Sequence, residues 1–242
     1  MKRWTRTVCA VGLLGTLTLG VGSCADNENM LVVVGVMKPS PPDCVYNPSG
    51  SSVLLLNGIM DAAFGGHYNA VLLVSNQLMA QGSKARLRAE SSDVVIDNAE
   101  VTLWQNGKNK LGDSYSVPAS GLVRAGSGQD VQYGAIGVQI IPGMTIPQQT
   151  GYIIAEVRLQ GTTSGGRDIE SNLLRFEIEV VDSSTGGVGL IDYNATDPDT
   201  RKPMCQATDC TDSAAVTYCN LGQDAPVSCC ACLSNPVCSG PT

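Results

Sequence analysis

Alternation of apolar and polar side chains is clearest between residues 153 and 180. Ile153, Ala155, Val157 and Leu159 alternate with Ile154, Glu156, Arg158 and Gln160, the period-two pattern of a strand with one buried and one wet face. Leu174, Phe176, Ile178 and Val180 repeat the pattern against Arg175, Glu177 and Glu179, and Gly161 to Glu170 reads as a long polar loop joining the two strands as a hairpin. Arg158 and the glutamates then lie on solvated outer faces, where cross-strand ion pairs contribute about 0.2–1 kcal/mol each. Upstream, the same pattern predicts strands over Leu31–Val36, Val53–Met60, Asp93–Asp97, Ala99–Gln105, Ser116–Ser120 and Val131–Ile141. The continuous apolar run Tyr68–Val74 predicts a central strand covered on both faces, with a buried helix as the alternative.

Turn signals punctuate these runs. Lys38-Pro39-Ser40-Pro41-Pro42 stops the first strand, because proline cannot donate to a sheet ladder. Gly65-Gly66 breaks the chain before His67. Asn106-Gly107 is the favoured dipeptide of a tight turn, since both residues tolerate positive φ, and it predicts a hairpin from Glu100 to Leu111. About eight to ten short strands with frequent turns, and no amphipathic helix, predict an all-β fold, an immunoglobulin-like β-sandwich. The sandwich is expected over residues 31–182, with its core between Asn57 and Asp182. No cysteine falls inside that core span, so the interlayer disulfide of true immunoglobulin domains has no counterpart.

The first segment has a different pattern. Lys2, Arg3 and Arg6 precede an uncharged run from Val8 to Val21, broken only by Gly and Thr. That run is shorter than the roughly 20 residues of a spanning helix and fits the apolar region of a removed export signal, with an uncleaved anchor as the alternative. It leads into Val21-Gly22-Ser23-Cys24, which resembles the lipobox of bacterial lipoproteins. The resemblance implies a signal peptide over 1–23, a lipidated Cys24 carrying diacylglycerol and an amide-linked chain such as palmitate, and a tether over 24–30. Ala25 stands where the family's inner-membrane retention signal has Asp, so the resemblance further implies outer-membrane delivery, on the periplasmic or the cell-surface face. Val21-x-Ser23 and Ser23-x-Ala25 also satisfy ordinary signal peptidase, which stays open as a second route.

Composition sharpens this address. The formal charge of the chain is −7, and removing Lys2, Arg3 and Arg6 with the signal leaves −10. So acidic a chain argues against nucleic acid and anionic headgroups as partners. Of the ten cysteines, Cys9 lies in the signal and Cys24 at the anchor, and the remaining eight suit disulfides in an oxidising compartment. Cys44 stands alone, whereas Cys205, Cys210, Cys219, Cys229, Cys230, Cys232 and Cys238 lie in a tail over 205–242, beyond a linker over 183–204. Seven tail cysteines cannot all pair among themselves. One bridge must leave the tail if all are oxidised, and Cys44 is its intramolecular partner. Zinc is the alternative for the tail, though it has no paired CxxC and no nearby histidine.

Candidate chemistry is sparse. His67 is the only histidine and no G-x-S-x-G elbow supplies a nucleophile, so no catalytic residue is assigned and the chain reads as non-enzymatic. Asp192, Asp197 and Asp199 lack EF-hand spacing, with Pro198 between them, and read as a solvated acidic linker. No metal and no cofactor is expected. Trp104, opposite Val101 and Leu103 on its strand, is the candidate ligand-binding residue, as a stacking platform for sugar; plain packing is its alternative. Lipobox, sandwich and cysteine-rich tail together resemble the surface lipoproteins of myxobacteria-type Gram-negative bacteria, a group with no settled activity to carry over. The expected role is a binding or structural module of the envelope, with an envelope protein or polysaccharide as partner. A carbohydrate-binding module for envelope or extracellular polysaccharide is the alternative.

Overall fold

The computed structural model describes residues 30–40, 43–82, 89–127, 130–143, 151–182, 190, 219–220 and 222–225. Eleven strands follow in order: β1 (Leu31–Met37), β2 (Leu54–Leu55), β3 (Gly58–Asp61), β4 (Tyr68–Asn76), β5 (Val94–Gln105), β6 (Asn109–Lys110), β7 (Tyr115–Val123), β8 (Gln132–Ile141), β9 (Gly151–Thr163), β10 (Asp168–Glu170) and β11 (Leu174–Val181). A single 3-10 turn, Ala62–Phe64, separates β3 from β4. The expected all-β class is met. The strands pair in the order β2-β1-β4-β8-β7-β5-β9-β11-β3, with β6 on β5 and β10 on β9, and the sheet is nearly closed into a barrel. Division into two immunoglobulin-like layers is not established by the pairing, because β7 hydrogen-bonds to both β5 and β8.

The alternating positions account for the core. Ile153, Ala155, Val157 and Leu159 of β9 and Phe176, Ile178 and Val180 of β11 are buried, while Arg175 and Glu177 are exposed. β9 lies antiparallel between β5 and β11, Val101 opposite Val157 and Leu174 opposite Val157 on the other side. Burying one such aliphatic side chain stabilises the fold by about 1.5–3 kcal/mol. Tyr68 and Phe176 meet inside the barrel with ring centroids 6.0 Å apart, so β4 and β11 share one core although they are far apart along the sheet path.

Three local expectations are corrected. Val53–Met60 is two strands: β2 pairs with β1 at one end of the sheet, β3 pairs in parallel with β11 at the other, and the exposed Leu56 and Asn57 carry the chain between them. Such a crossing is short only because the two edges lie close together. Asp93–Asp97 and Ala99–Gln105 are one strand, β5, interrupted by a bulge at Asp97. There Ile96 opposes Gly161, where a Cβ would run into the Val95 carbonyl, so the bulge needs glycine across from it. Residues 161–170 are not an open loop: β9 continues to Thr163, turns, and β10 returns along it. The Asn106-Gly107 turn forms as expected, with φ of 49° and 67° at its two central residues.

Tail residues complete the fold. Cys44 and Cys219, 175 positions apart, form the disulfide that ties the tail to the segment after β1. Beyond it the chain runs along β3: Asp61 N–H donates to Gly222 O (2.9 Å), and Asp224 N–H to Ile59 O (2.9 Å). The Gln223 carboxamide then reaches β4, accepting from Asn69 N–H (3.0 Å) and donating to Asn69 O. A second carboxamide acts alike where β11 approaches β1, as Asn172 accepts from Val33 N–H (2.7 Å) and donates to Val33 O (3.3 Å). Backbone groups left at the seam are thus met by side chains that mimic a peptide.

Candidate functional site

On the outer face of β4 and β8, two cross-strand pairs lie side by side: Val71 opposite Gly137, and Asn69 opposite Gln139. Alternation sends Ala70, Leu72, Ile136 and Val138 into the core, leaving the outer positions as the floor of a groove of about 380 Å³. Tyr46, the Cys44–Cys219 disulfide and Asn220 complete its lining, and the groove is partly open to solvent. Its size falls within the roughly 300–1,000 Å³ of small-molecule sites. None of the described residues lining it carries a formal charge.

Tyr46 is held through its hydroxyl by a hydrogen bond with the Asn220 side chain. Burial pushes its hydroxyl above the usual tyrosine range; a hydrogen bond with the Asn220 side chain opposes that, and the nearby Asp224 charge adds to it. The phenol is therefore neutral under ordinary conditions. Gly137 gives the floor its depth. A Cβ added there would meet nothing within 4 Å, so packing does not require glycine at this point of β8; the missing side chain is simply open space.

Behind the groove lies a polar knot inside the barrel mouth. Tyr68 donates its hydroxyl to both carboxylate oxygens of Asp224 (2.9 and 2.7 Å), and Ile59 N–H donates to Asp224 Oδ1 (2.8 Å). Burial raises the Asp224 carboxyl above its usual range, against the lowering by the hydrogen bonds from Ile59, Tyr68 and Gln223. Burial is also the main reason the Tyr68 hydroxyl is pushed up, with the Asp224 charge second. Every donor here is spoken for, which makes the knot a fastening for the tail. Glu90 shows the opposite behaviour at the far end of β5. Its carboxylate accepts from four backbone N–H groups, those of Gln81, Gly82, Ser91 and Ser92 at 2.7–3.0 Å, and these hold it down to about 2.

The residues expected from sequence fall out as follows. Trp104 stands on the outer face of β5, opposite in parity to Val101 and Leu103, half-buried between Ile154 of β9 and Lys110 of β6. Its indole N–H is buried and has no hydrogen-bond partner among the described residues. The donor end of the ring is thus turned away from an external ligand. His67 lies between Gly66 and β4. Arg158–Glu170 (3.3 Å) and Arg175–Glu156 (2.7 Å) are the cross-strand ion pairs of the outer face. The expectations for Cys24, Cys205, Cys210, Cys229, Cys230, Cys232 and Cys238, and for Asp192, Asp197 and Asp199, lie outside the described residues.

Sequence reasoning missed the groove. One signal was present: two glycines, Gly134 and Gly137, interrupt the strand pattern of residues 131–141, and glycine inside a strand marks close approach of a backbone or a ligand. Tyr46, Asn220, Gln223 and Asp224 carried no such mark, apart from following Cys44 and Cys219. The chain matches no model of a known protein family and no curated protein.

Proposed function

We propose that the protein is a non-enzymatic lipoprotein of the cell envelope, anchored in the outer membrane through Cys24, whose strand body is a binding or structural module. The observation that carries this reading is the groove over β4 and β8. Its polar groups are carboxamides and a neutral phenol, which hold a ligand by hydrogen bonding and are poor proton donors or acceptors at neutral pH. The Cys44–Cys219 bridge supports the exported address, because disulfides persist in oxidising compartments. We further read the barrel as flattened in the manner of an immunoglobulin-like sandwich. β7 meets β8 through only two paired positions, and β1 meets the start of β11 through the Leu31–Ser171 bridge and the Asn172 side chain, so each half offers a broad outer face.

A second reading, a carbohydrate-binding module, is favoured by the combination of Tyr46 with Asn69, Gln139 and Asn220 at one site. The groove is a better place for that ligand than Trp104, whose indole N–H is turned inward.

Membrane fractionation with tritiated palmitate tests the address. Wild type is expected to take up label and partition with the outer membrane, and Cys24→Ala to do neither. A full-length product in the cytosol with its thiols reduced would sink the reading. Pull-down from envelope membranes with the intact lipoprotein tests the binding role: a partner lost on Gly137→Phe supports it, and a partner set unchanged by that variant counts against the groove.

A further inference from the structure

We propose that the groove takes a segment of neutral saccharide chain, with Tyr46 as its stacking wall, Asn69, Gln139 and Asn220 as its hydroxyl readers, and Gly137 as the open floor on which a sugar ring sits. The inference rests on the reading of the strand body as a binding module and narrows the carbohydrate of the second reading to an uncharged chain seated on Gly137.

Three observations point to this chemistry. The first is the polar lining. A sugar hydroxyl both donates and accepts, and a carboxamide offers an acceptor oxygen and a donor nitrogen about two bonds apart; three such groups converge on one groove. The second is the lack of charge in the described lining, together with a net charge of −7 for the chain. Sulfated, phosphorylated and carboxylated ligands would find no cation among the described lining residues and a repulsive field around the groove. The third is shape. Gly137 and Val71 give an apolar floor, with nothing within 4 Å of a Cβ at residue 137, and the aromatic side chain of Tyr46 lines the same groove, which is open to solvent. A pyranose has apolar C–H faces and a hydroxylated rim, which suits such a floor, wall and rim.

The site is also fixed before any ligand arrives. The Cys44–Cys219 bridge holds its two walls together, and Tyr46 is tied to Asn220 across the same junction. Asn69 is anchored through its backbone to Gln223. Little ordering is left to be done on binding, which favours affinity for a ligand that offers only modest contacts.

The experiment is titration of the full, oxidised lipoprotein in detergent with chitohexaose, cellohexaose, laminarihexaose and mannohexaose, followed by saturation-transfer NMR and calorimetry. At least one is expected to bind saturably. Gln139→Ala should weaken it about fivefold, the worth of one hydrogen bond of about 1 kcal/mol. Gly137→Phe should abolish it while leaving the circular dichroism spectrum and melting temperature near wild type, since a Cβ at residue 137 meets nothing within 4 Å and the residue faces the groove. Trp104→Ala should leave the affinity unchanged. Silence with all four sugars overturns the saccharide assignment, as does binding that survives Gly137→Phe or is lost in Trp104→Ala. If all four sugars are silent while Gly137→Phe still costs the lipoprotein an envelope partner, the ligand class falls and the binding-module reading stands. If neither sugar nor partner responds to Gly137→Phe, both fall.

Discussion

Two regions of one sheet are held together by opposite means. Along β5, β9 and β11 the backbone ladder is continuous apart from the Asp97 bulge, and each pairing is made by strands whose own alternation says which face is inward. At the seam between paired β1 and β4 on one side and paired β3 and β11 on the other, the ladder gives out. There the contacts include two side-chain carboxamides, one half-buried carboxylate and a disulfide, supplied by residues up to 175 positions away. A ladder distributes stability over many equivalent bonds, each worth about 1 kcal/mol net, whereas a seam concentrates it in a few groups whose loss leaves buried partners unmet.

That contrast can be broken at the seam first. Replacing Cys44 and Cys219 together by Ala is expected to cost about 4 kcal/mol, because the bridge closes so long a loop, and urea unfolding under oxidising conditions measures it. Next comes Asp224→Ala, which leaves the Tyr68 hydroxyl and the Ile59 N–H without their acceptor and should cost about 2 kcal/mol in the same assay. The pH dependence of this site has a definite sign. Burial raises the folded pKa of Asp224 above its unfolded value, so the folded state binds that proton more tightly. Its contribution is complete below the unfolded pKa and is lost as pH rises through the folded one. Stability of wild type relative to Asp224→Asn should therefore fall with rising pH across that window, and a flat difference would contradict the burial of the carboxyl.

Smaller effects sharpen the comparison. Asn172→Ala removes both bonds to Val33 and should cost about 1 kcal/mol, with hydrogen exchange at the Val33 amide accelerating more than at core amides of β9. Glu90→Gln tests the four-donor clamp. Its depressed folded pKa of about 2 means that the stabilisation is present above the unfolded carboxyl pKa and fades as pH falls toward 2. The variant is therefore expected to melt below wild type at neutral pH and level with it in strong acid. The smallest effect belongs to the ladder's own surface. Arg175→Ala breaks an ion pair whose arginine side chain is 72% exposed, and should change stability by less than about 0.5 kcal/mol.

Sequence reasoning succeeds where the information is local. Ile153 to Leu159 and Leu174 to Val180 announced strands and their inner faces, because a pleated strand with one wet side must alternate. Asn106-Gly107 announced a turn for reasons of φ alone. It fails where a strand's fate depends on what lies across from it. Nothing in Val53–Met60 says that Leu54 will sit on β1 and Met60 beside β11, and nothing near Asp97 says that β5 continues past it. The candidate site divides the same way. Trp104 drew notice because an aromatic residue opposite Val101 and Leu103 is visible along one strand. Tyr46, Asn69, Gln139 and Asn220 meet only after the chain has folded.

Residues in order along the chain determined the all-β class, the inward faces of the long strands, the hairpin turn, the acidic charge and the need for Cys44 to leave its own neighbourhood to find a partner. Each follows from spacing, side-chain type or a count of thiols. Folding in three dimensions decided which tail cysteine met Cys44, the near closure of the sheet, the hydrogen bonding of buried Tyr68 to Asp224 and the neutral groove above Gly137. These depend on pairs of residues brought together from distant parts of the chain, and proximity of that kind has no local signature.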